Sequence, residues 1–382
     1  MQEFLEKNEK KVEYLELIYD LIFVYIIGRN NSLLHHTVDG KIAVGMFITY
    51  FICTLAVIQI WNYSTYYINI YGKNGLREHI FLFSNMFLLY FIGEGTREHW
   101  QTYHTQYHIA WALILLNIAG QYFIELKNRR QEPPHIRNIV ILVIEALLVL
   151  VNIPIYKVTG SDFSYVPILF GMIATSIPTK IRLENNVDFA HLSERAMLYV
   201  VFTFGEMVIA IASYFEGELT LDRIYFSFMS FMIVVGLFLS YGTFYDRIID
   251  REQANNGLHY MMLHVFIIFA QNNITASLEF MQNGEMEIAP KLGFLIVSFI
   301  IFFVFLFMTR RYAKITCKPP LKFYLKIIGL AVSFVILMIL FRENMRVNIA
   351  LSVIYVFAIY GIIHKIGMVN AKRNIKEKIR KK

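Results

Sequence analysis

Charge is scarce in this chain. Only 17% of its 382 residues are Asp, Glu, Lys or Arg, while 57% are apolar and mean hydropathy is +0.49. Soluble domains carry about 25% charged residues and about 45–50% apolar ones. The deficit excludes a disordered chain and an ordinary cytosolic enzyme, and leaves a chain whose solvent is mostly lipid. Cysteine is scarcer still. Cys53 lies in an apolar run and Cys317 in a basic loop, so no disulfide framework is expected. Neither cysteine has a partner at metal-ligand spacing, no His-x3-His or CxxC pair is read as marking a metal, and His35-His36 is too short a cluster to hold an ion unaided. No metal and no cofactor are therefore expected. A phosphate-binding loop, a GxGxxG turn and a GxSxG elbow are also lacking.

What is present is a series of continuous apolar runs, such as Phe294–Met308 and Leu325–Leu340. They exclude a β-barrel, whose strands would alternate apolar and polar residues. A membrane-spanning helix takes roughly 20 residues. Twelve apolar segments are read, near 14–35, 41–71, 79–97, 104–127, 136–153, 162–180, 193–214, 221–245, 257–282, 289–309, 320–341 and 347–364. Pro133-Pro134, Pro154 and Pro319-Pro320 are expected to punctuate helix ends. The chain is thus expected to be an all-α polytopic membrane protein with about twelve spans, no sheet and almost no mass outside the bilayer.

The net charge of +7 is read as orientation in the membrane, not as a nucleic-acid surface. Lys73 and Arg77, Arg129 and Arg130, Arg310 and Arg311, and the tail from Lys372 to Lys382 all fall on one side when twelve segments alternate. In all, 26 of the 36 Lys and Arg fall on that side, and eight, including Arg29, Arg97 and Arg223, fall on the other. Both termini are then cytoplasmic, and no cleavable leader is expected. The halves also look related. In one register Tyr63–Tyr67 falls on Tyr241–Tyr245 and Glu16 on Glu194, with His79 and His259 close to it. This suggests a 6 + 6 tandem repeat of parallel topology, with halves 1–185 and 186–382.

Charged groups inside such spans cost about 2.5–3.5 kcal/mol each on translocon scales, so they normally face protein or a water cavity. Glu16 and Asp20 lie four residues apart on one helix face, and Arg195 is their natural partner. Glu194 adjoins Arg195. Glu206 is expected at mid-depth between the halves, with Gly205 letting a neighbouring helix or an ion approach. Glu145 stands alone in an apolar run and must be protonated or paired. Trp61 either lines a site or packs. His264 shares a face with Gln271, and ordinary helix-to-helix hydrogen bonding accounts for both.

Four stretches resemble the low-temperature-requirement protein A family of bacterial membrane proteins. They are Leu15–Val24, the Trp61–Tyr71 region, Ser193-Glu194-Arg195 with Gly205-Glu206, and Tyr245-Asp246 followed by the His-containing ninth helix. Met207 stands where a small hydroxyl residue is usual. The resemblance implies a polytopic protein of the bacterial inner membrane and supplies no reaction. Glu16–Ile26 is also similar to the first helix of six-helix-repeat potassium channels with a Phe-Ser-Asp motif, although Tyr19 replaces the Ser and the preceding Arg is missing. The expected function is a secondary transporter or channel for a solute or cation, with protons as the candidate coupling ion. The expected partners are the lipid bilayer and a small solute or ion, and an oligomer is possible. A structural or stress-sensing protein without turnover is the alternative. An intramembrane enzyme using His264 with Glu206 or Glu145 is a third reading.

Overall fold

The computed structural model describes residues 10–35, 37–95, 100–128, 133–177, 187–212, 218–282, 286–317 and 319–380. It is 86% helical. Twelve α-helices lie in the described residues: α1 (Tyr14–Asn30), α2 (Val44–Tyr71), α3 (Leu76–Gly95), α4 (Trp100–Asn128), α5 (Pro133–Thr159), α6 (Tyr165–Ser176), α7 (Phe189–Ile211), α8 (Leu221–Arg247), α9 (Leu258–Gln282), α10 (Ile288–Met308), α11 (Leu321–Leu340) and α12 (Met345–Arg380).

Eight of these, α2, α4, α5 and α8 to α12, are long and apolar enough to cross a bilayer. The other four fall short for physical reasons. Helix α1 has 17 residues and carries Glu16 and Asp20. Helix α6 has 12 residues, about 18 Å at the helical rise, against a hydrocarbon core of about 30 Å. Helices α3 and α7 contain the charged pairs Arg77-Glu78 and Glu194-Arg195.

Two local expectations need correction. Pro154 does not end a helix, because α5 continues past it to Thr159. Proline removes one backbone donor and kinks a membrane helix, but neighbouring groups can satisfy the carbonyl it frees. The described residues also contain one small sheet. Thr37–Val38 pairs antiparallel with Lys41–Ile42. The turn between them is Asp39-Gly40, with φ of 51° and 71°. An Asp-Gly pair with both φ values positive matches the twist of a tight hairpin.

The chain forms two compact units. The first comprises Met1–His35, Val44–Tyr199 and Glu252–Met261. In it α4 packs along α3 and α5, α1 lies against α2 and α3, and α6 lies against α5 and α2. The second comprises His36–Ala43, Val200–Arg251 and Met262–Lys382. Here α12 runs along α8, and α11 packs on α12 and α10. Helix α9 differs from the other apolar helices in being almost wholly buried, and it buries Gln271, Asn272, Asn273, Thr275 and Ser277 as well. Phe83, Phe87 and Tyr90 on α3 and Leu325, Ile328 and Val332 on α11 are exposed, as lipid-facing side chains would be.

The α8–α12 contact depends on Gly236. A Cβ there would come within 2.6 Å of Val356 Cγ1, a stiff β-branched side chain. A Cβ at Gly329 would meet nothing within 4 Å. Gly236→Ala should therefore lower the melting temperature of the detergent-purified protein, at an overpacking cost of about 1–3 kcal/mol. Gly329→Ala should leave it unchanged or slightly raised.

Candidate functional site

The first unit buries a charged network where α1, α2 and α7 meet. Arg195 on α7 and Asp20 on α1 are fully buried, and Glu16 is 4% exposed. The Arg195 guanidinium forks onto Asp20. Its Nε donates to Oδ2 at 3.3 Å, and its Nη2 donates to Oδ1. Its Nη1 lies 3.1 Å from Glu16 Oε2. One turn of helix separates the two acids, so one planar cation can reach both. The pairing expected from sequence is made. Trp61, on α2, packs its ring on Tyr199 at 4.5 Å and donates Nε1–H to Asp20 Oδ1 at 2.7 Å. It therefore packs and lines the site at once.

A histidine extends the network. The main chain of Asp188 fixes the Asn69 amide, donating to Oδ1 at 3.1 Å and accepting from Nδ2 at 2.9 Å. That amide nitrogen lies 3.0 Å from His191 Nδ1 and can only donate. Nδ1 is therefore the acceptor, and His191 Nε2–H is aimed at Glu16 Oε2, 3.4 Å away. Ahead of α1, the Lys10 ammonium donates to the carbonyls of Ile68 and Gly72 at the end of α2, where the helix dipole favours a cation. Burial lowers the Lys10 pKa below the usual range, against the opposing pull of Glu16 and Glu78. Lys10, Glu16, Glu78 and Gln121 line a cavity of about 370 Å³, so the network has one carboxylate on a cavity wall.

Glu145 belongs to a separate cluster. It is buried on α5 and accepts from Tyr63 Oη at 2.7 Å. Gln59 Nε2 donates to Tyr63 Oη at 3.0 Å and to the Ile168 carbonyl at 3.2 Å. A Cβ at Gly171 on α6 would collide with Gln59 Nε2, Tyr63 Oη and Glu145 Oε2. The glycine thus lets α6 close over the carboxyl. Glu194 is partly exposed, 100° round α7 from Arg195.

The second unit holds the remaining candidates. Glu206 is partly buried, with Glu279 of α9 as its electrostatic neighbour. Gly205 does not serve as a close-approach position, because it is exposed and a Cβ there would meet nothing within 4 Å. His264 is buried, with Nε2 2.9 Å from Tyr241 Oη, and Gln271 Nε2 donates to the Val200 carbonyl at 3.3 Å.

Sequence reasoning did not single out His191, Asn69 or Lys10. The expectation that no His-x3-His pair marks a metal needs correction, because His104 and His108 stand at that spacing on α4, and Asp162 was not considered with them. Asp162 lies in the α5–α6 link. Its carboxylate lies 3.6 Å from His104 Nε2 and accepts hydrogen bonds from Ser164 and Asn152.

Eight long apolar helices, with ion-paired charges buried inside the first unit, define a multi-pass membrane protein. The chain belongs to the bacterial low temperature requirement A protein (LtrA) family, whose model matches residues 11–360. No curated protein matches it significantly.

Removing Asp20 would leave Arg195 buried and underpaired, which typically costs about 3–5 kcal/mol. Asp20→Ala should therefore lower the melting temperature markedly. Adding Arg195→Met should recover part of the loss, and a double-mutant cycle on the four proteins reads the coupling directly.

Proposed function

We propose that the chain is a secondary transporter or channel of the bacterial inner membrane, moving a solute or cation, with Glu16, Asp20 and Arg195 as its ion-linked site. The observation that carries this reading is the position of Glu16. It shares one guanidinium with Asp20 and also lines the cavity of about 370 Å³. A cation or proton entering that cavity would compete with Arg195 for Glu16, and such competition can bias a conformational change. The basic-residue asymmetry supports twelve crossings with both termini cytoplasmic, the 12-residue α6 crossing only together with the flanking residues of the 162–180 segment. The repeated motifs support a parallel 6 + 6 arrangement of residues 1–185 and 186–382. Glu206, beside Glu279, is the second titratable candidate, for proton coupling. No reaction is proposed for the chain. In the alternative, structural or sensing reading, the same ion pairs serve only as a clamp.

The test is uptake into proteoliposomes, screened over monovalent and divalent cations and small solutes, with and without a pH gradient. At least one should move in a protein-dependent way. Glu16→Gln leaves Arg195 paired with Asp20, so the variant should fold yet lose uptake by about tenfold or more. Glu206→Gln should remove the dependence on the pH gradient. Absence of flux from folded wild-type protein, or full flux through Glu16→Gln, overturns the reading. Retained pH dependence in Glu206→Gln reduces that residue to packing.

A further inference from the structure

His104 and His108 stand four residues apart on α4 and so share a face. The α5–α6 link brings Asp162 to that face, and ligand atoms of the three side chains lie within 4.8 Å of one another. Among the described residues this is the one such group of histidine, cysteine and acidic side chains. His104 Nε2 is 3.6 Å from Asp162 Oδ1. Ligands about 2.0–2.2 Å from a tetrahedral ion sit roughly 3.3–3.6 Å apart. We infer that His104, His108 and Asp162 form a binding site for a divalent transition-metal ion of the zinc class.

The second, independent observation is His104 itself. It is 1% exposed, and neither ring nitrogen has a partner within hydrogen-bond distance, Asp162 Oδ1 standing 3.6 Å from Nε2. An imidazole removed from water without a partner is costly and rare. The ring is also held in place, stacked on Tyr156 at 3.8 Å and 12° and met edge-on by Trp100. An ion at Nε2 supplies the missing partner without moving the ring far.

The neighbours are arranged as supports for metal ligands. His108 Nδ1 lies 2.6 Å from the His104 carbonyl, which can only accept. Nδ1 therefore holds the proton, and the Nε2 lone pair accepts from Asn152 Nδ2 at 3.1 Å, a contact that an ion would replace. A carbonyl partner on the other ring nitrogen is the usual device that orients a metal-binding histidine. Asp162 Oδ1 accepts from the Ser164 N–H at 2.9 Å, from Asn152 Nδ2 at 2.8 Å and from the Ser164 hydroxyl. The Phe163 N–H donates to Asn152 Oδ1 at 2.9 Å, which fixes that amide with its nitrogen toward Asp162. Ser164 Oγ is 2.6 Å from His108 Nε2, too close for both to ligate one ion, so an ion would displace that hydroxyl and take its fourth ligand from water. Two imidazoles and one carboxylate suit zinc and its first-row neighbours. Calcium takes six to eight oxygens and magnesium an octahedron of them. Such an ion would tie α4 to the α5–α6 link. The inference does not rest on the transport reading.

The test uses full-length protein in detergent, with any affinity tag removed, stripped with chelator and titrated with Zn²⁺, Co²⁺, Mg²⁺ and Ca²⁺. Wild type should bind about one Zn²⁺ per chain and melt at a higher temperature with it. Co²⁺ should give the visible absorption of a tetrahedral site, and Mg²⁺ and Ca²⁺ should have no effect. His104→Ala and Asp162→Asn should each weaken Zn²⁺ binding by about tenfold or more, whereas His79→Ala, in an exposed contact with Asn74, should not. If His104→Ala does not fold, His104→Gln keeps the bulk and should also lose the Co²⁺ spectrum. Folded wild type that binds no stoichiometric Zn²⁺, or His104 variants that bind it as wild type does, overturns the site.

Discussion

The first unit is organised around burying one guanidinium. Arg195 can leave water only because Asp20 meets it with a two-point fork and Glu16 meets its third nitrogen. A fully buried Arg without these acids would be prohibitive. Much else follows from that constraint. The acids must sit one turn apart, so α1 is too polar to resemble an ordinary span. Trp61 must bring its N–H to the same carboxylate, which fixes how α2 lies on α1. Asp188 must hold Asn69, which sets His191, so the residues entering α7 are tied to the end of α2. The cost of the charge is met by polar neighbours contributed by three helices.

The two polar clusters of the first unit differ in kind. The Arg195 network is charge against charge, oriented in part by backbone groups and open to a cavity at Glu16. The Glu145 cluster has no basic residue among its contacts and is held by a phenol whose hydroxyl also receives an amide. A site that exchanges ions needs access and competing partners, and the first cluster has both. The second is built for close packing, with α6 brought down onto it by the missing side chain of Gly171.

Sequence reasoning reached Glu16, Asp20 and Arg195 because a charge inside an apolar run has few explanations, and helical spacing then says which charges share a face. It reached the all-helical class for the same compositional reason. It did not reach His191 or Lys10, because their roles depend on where α2 ends and how the Asn69 amide is turned, and neither is a periodic signal. His104 and His108 were legible as a spaced pair, but Asp162 joins them only through the bend between α5 and α6. Pro154 misled because proline usually ends helices in water, whereas α5 continues past it. Gly205 misled because a glycine beside an acid suggests close approach, and here that side of α7 faces open space.

Helix α9 carries a consequence for biogenesis. Its apolar content is enough for a translocon to release it into lipid, yet it buries five polar side chains between Gln271 and Ser277. Alone in a bilayer Gln271 would lose its bond to the Val200 carbonyl, while Thr275 and Ser277 would keep only bonds to their own helix. A segment of this kind is retained cheaply only where earlier helices already offer it a protein surface. Among the described residues eight α-helices precede it in the chain. The order of synthesis therefore supplies the surroundings that its own composition does not, and a chain begun with α9 would present it to lipid too early.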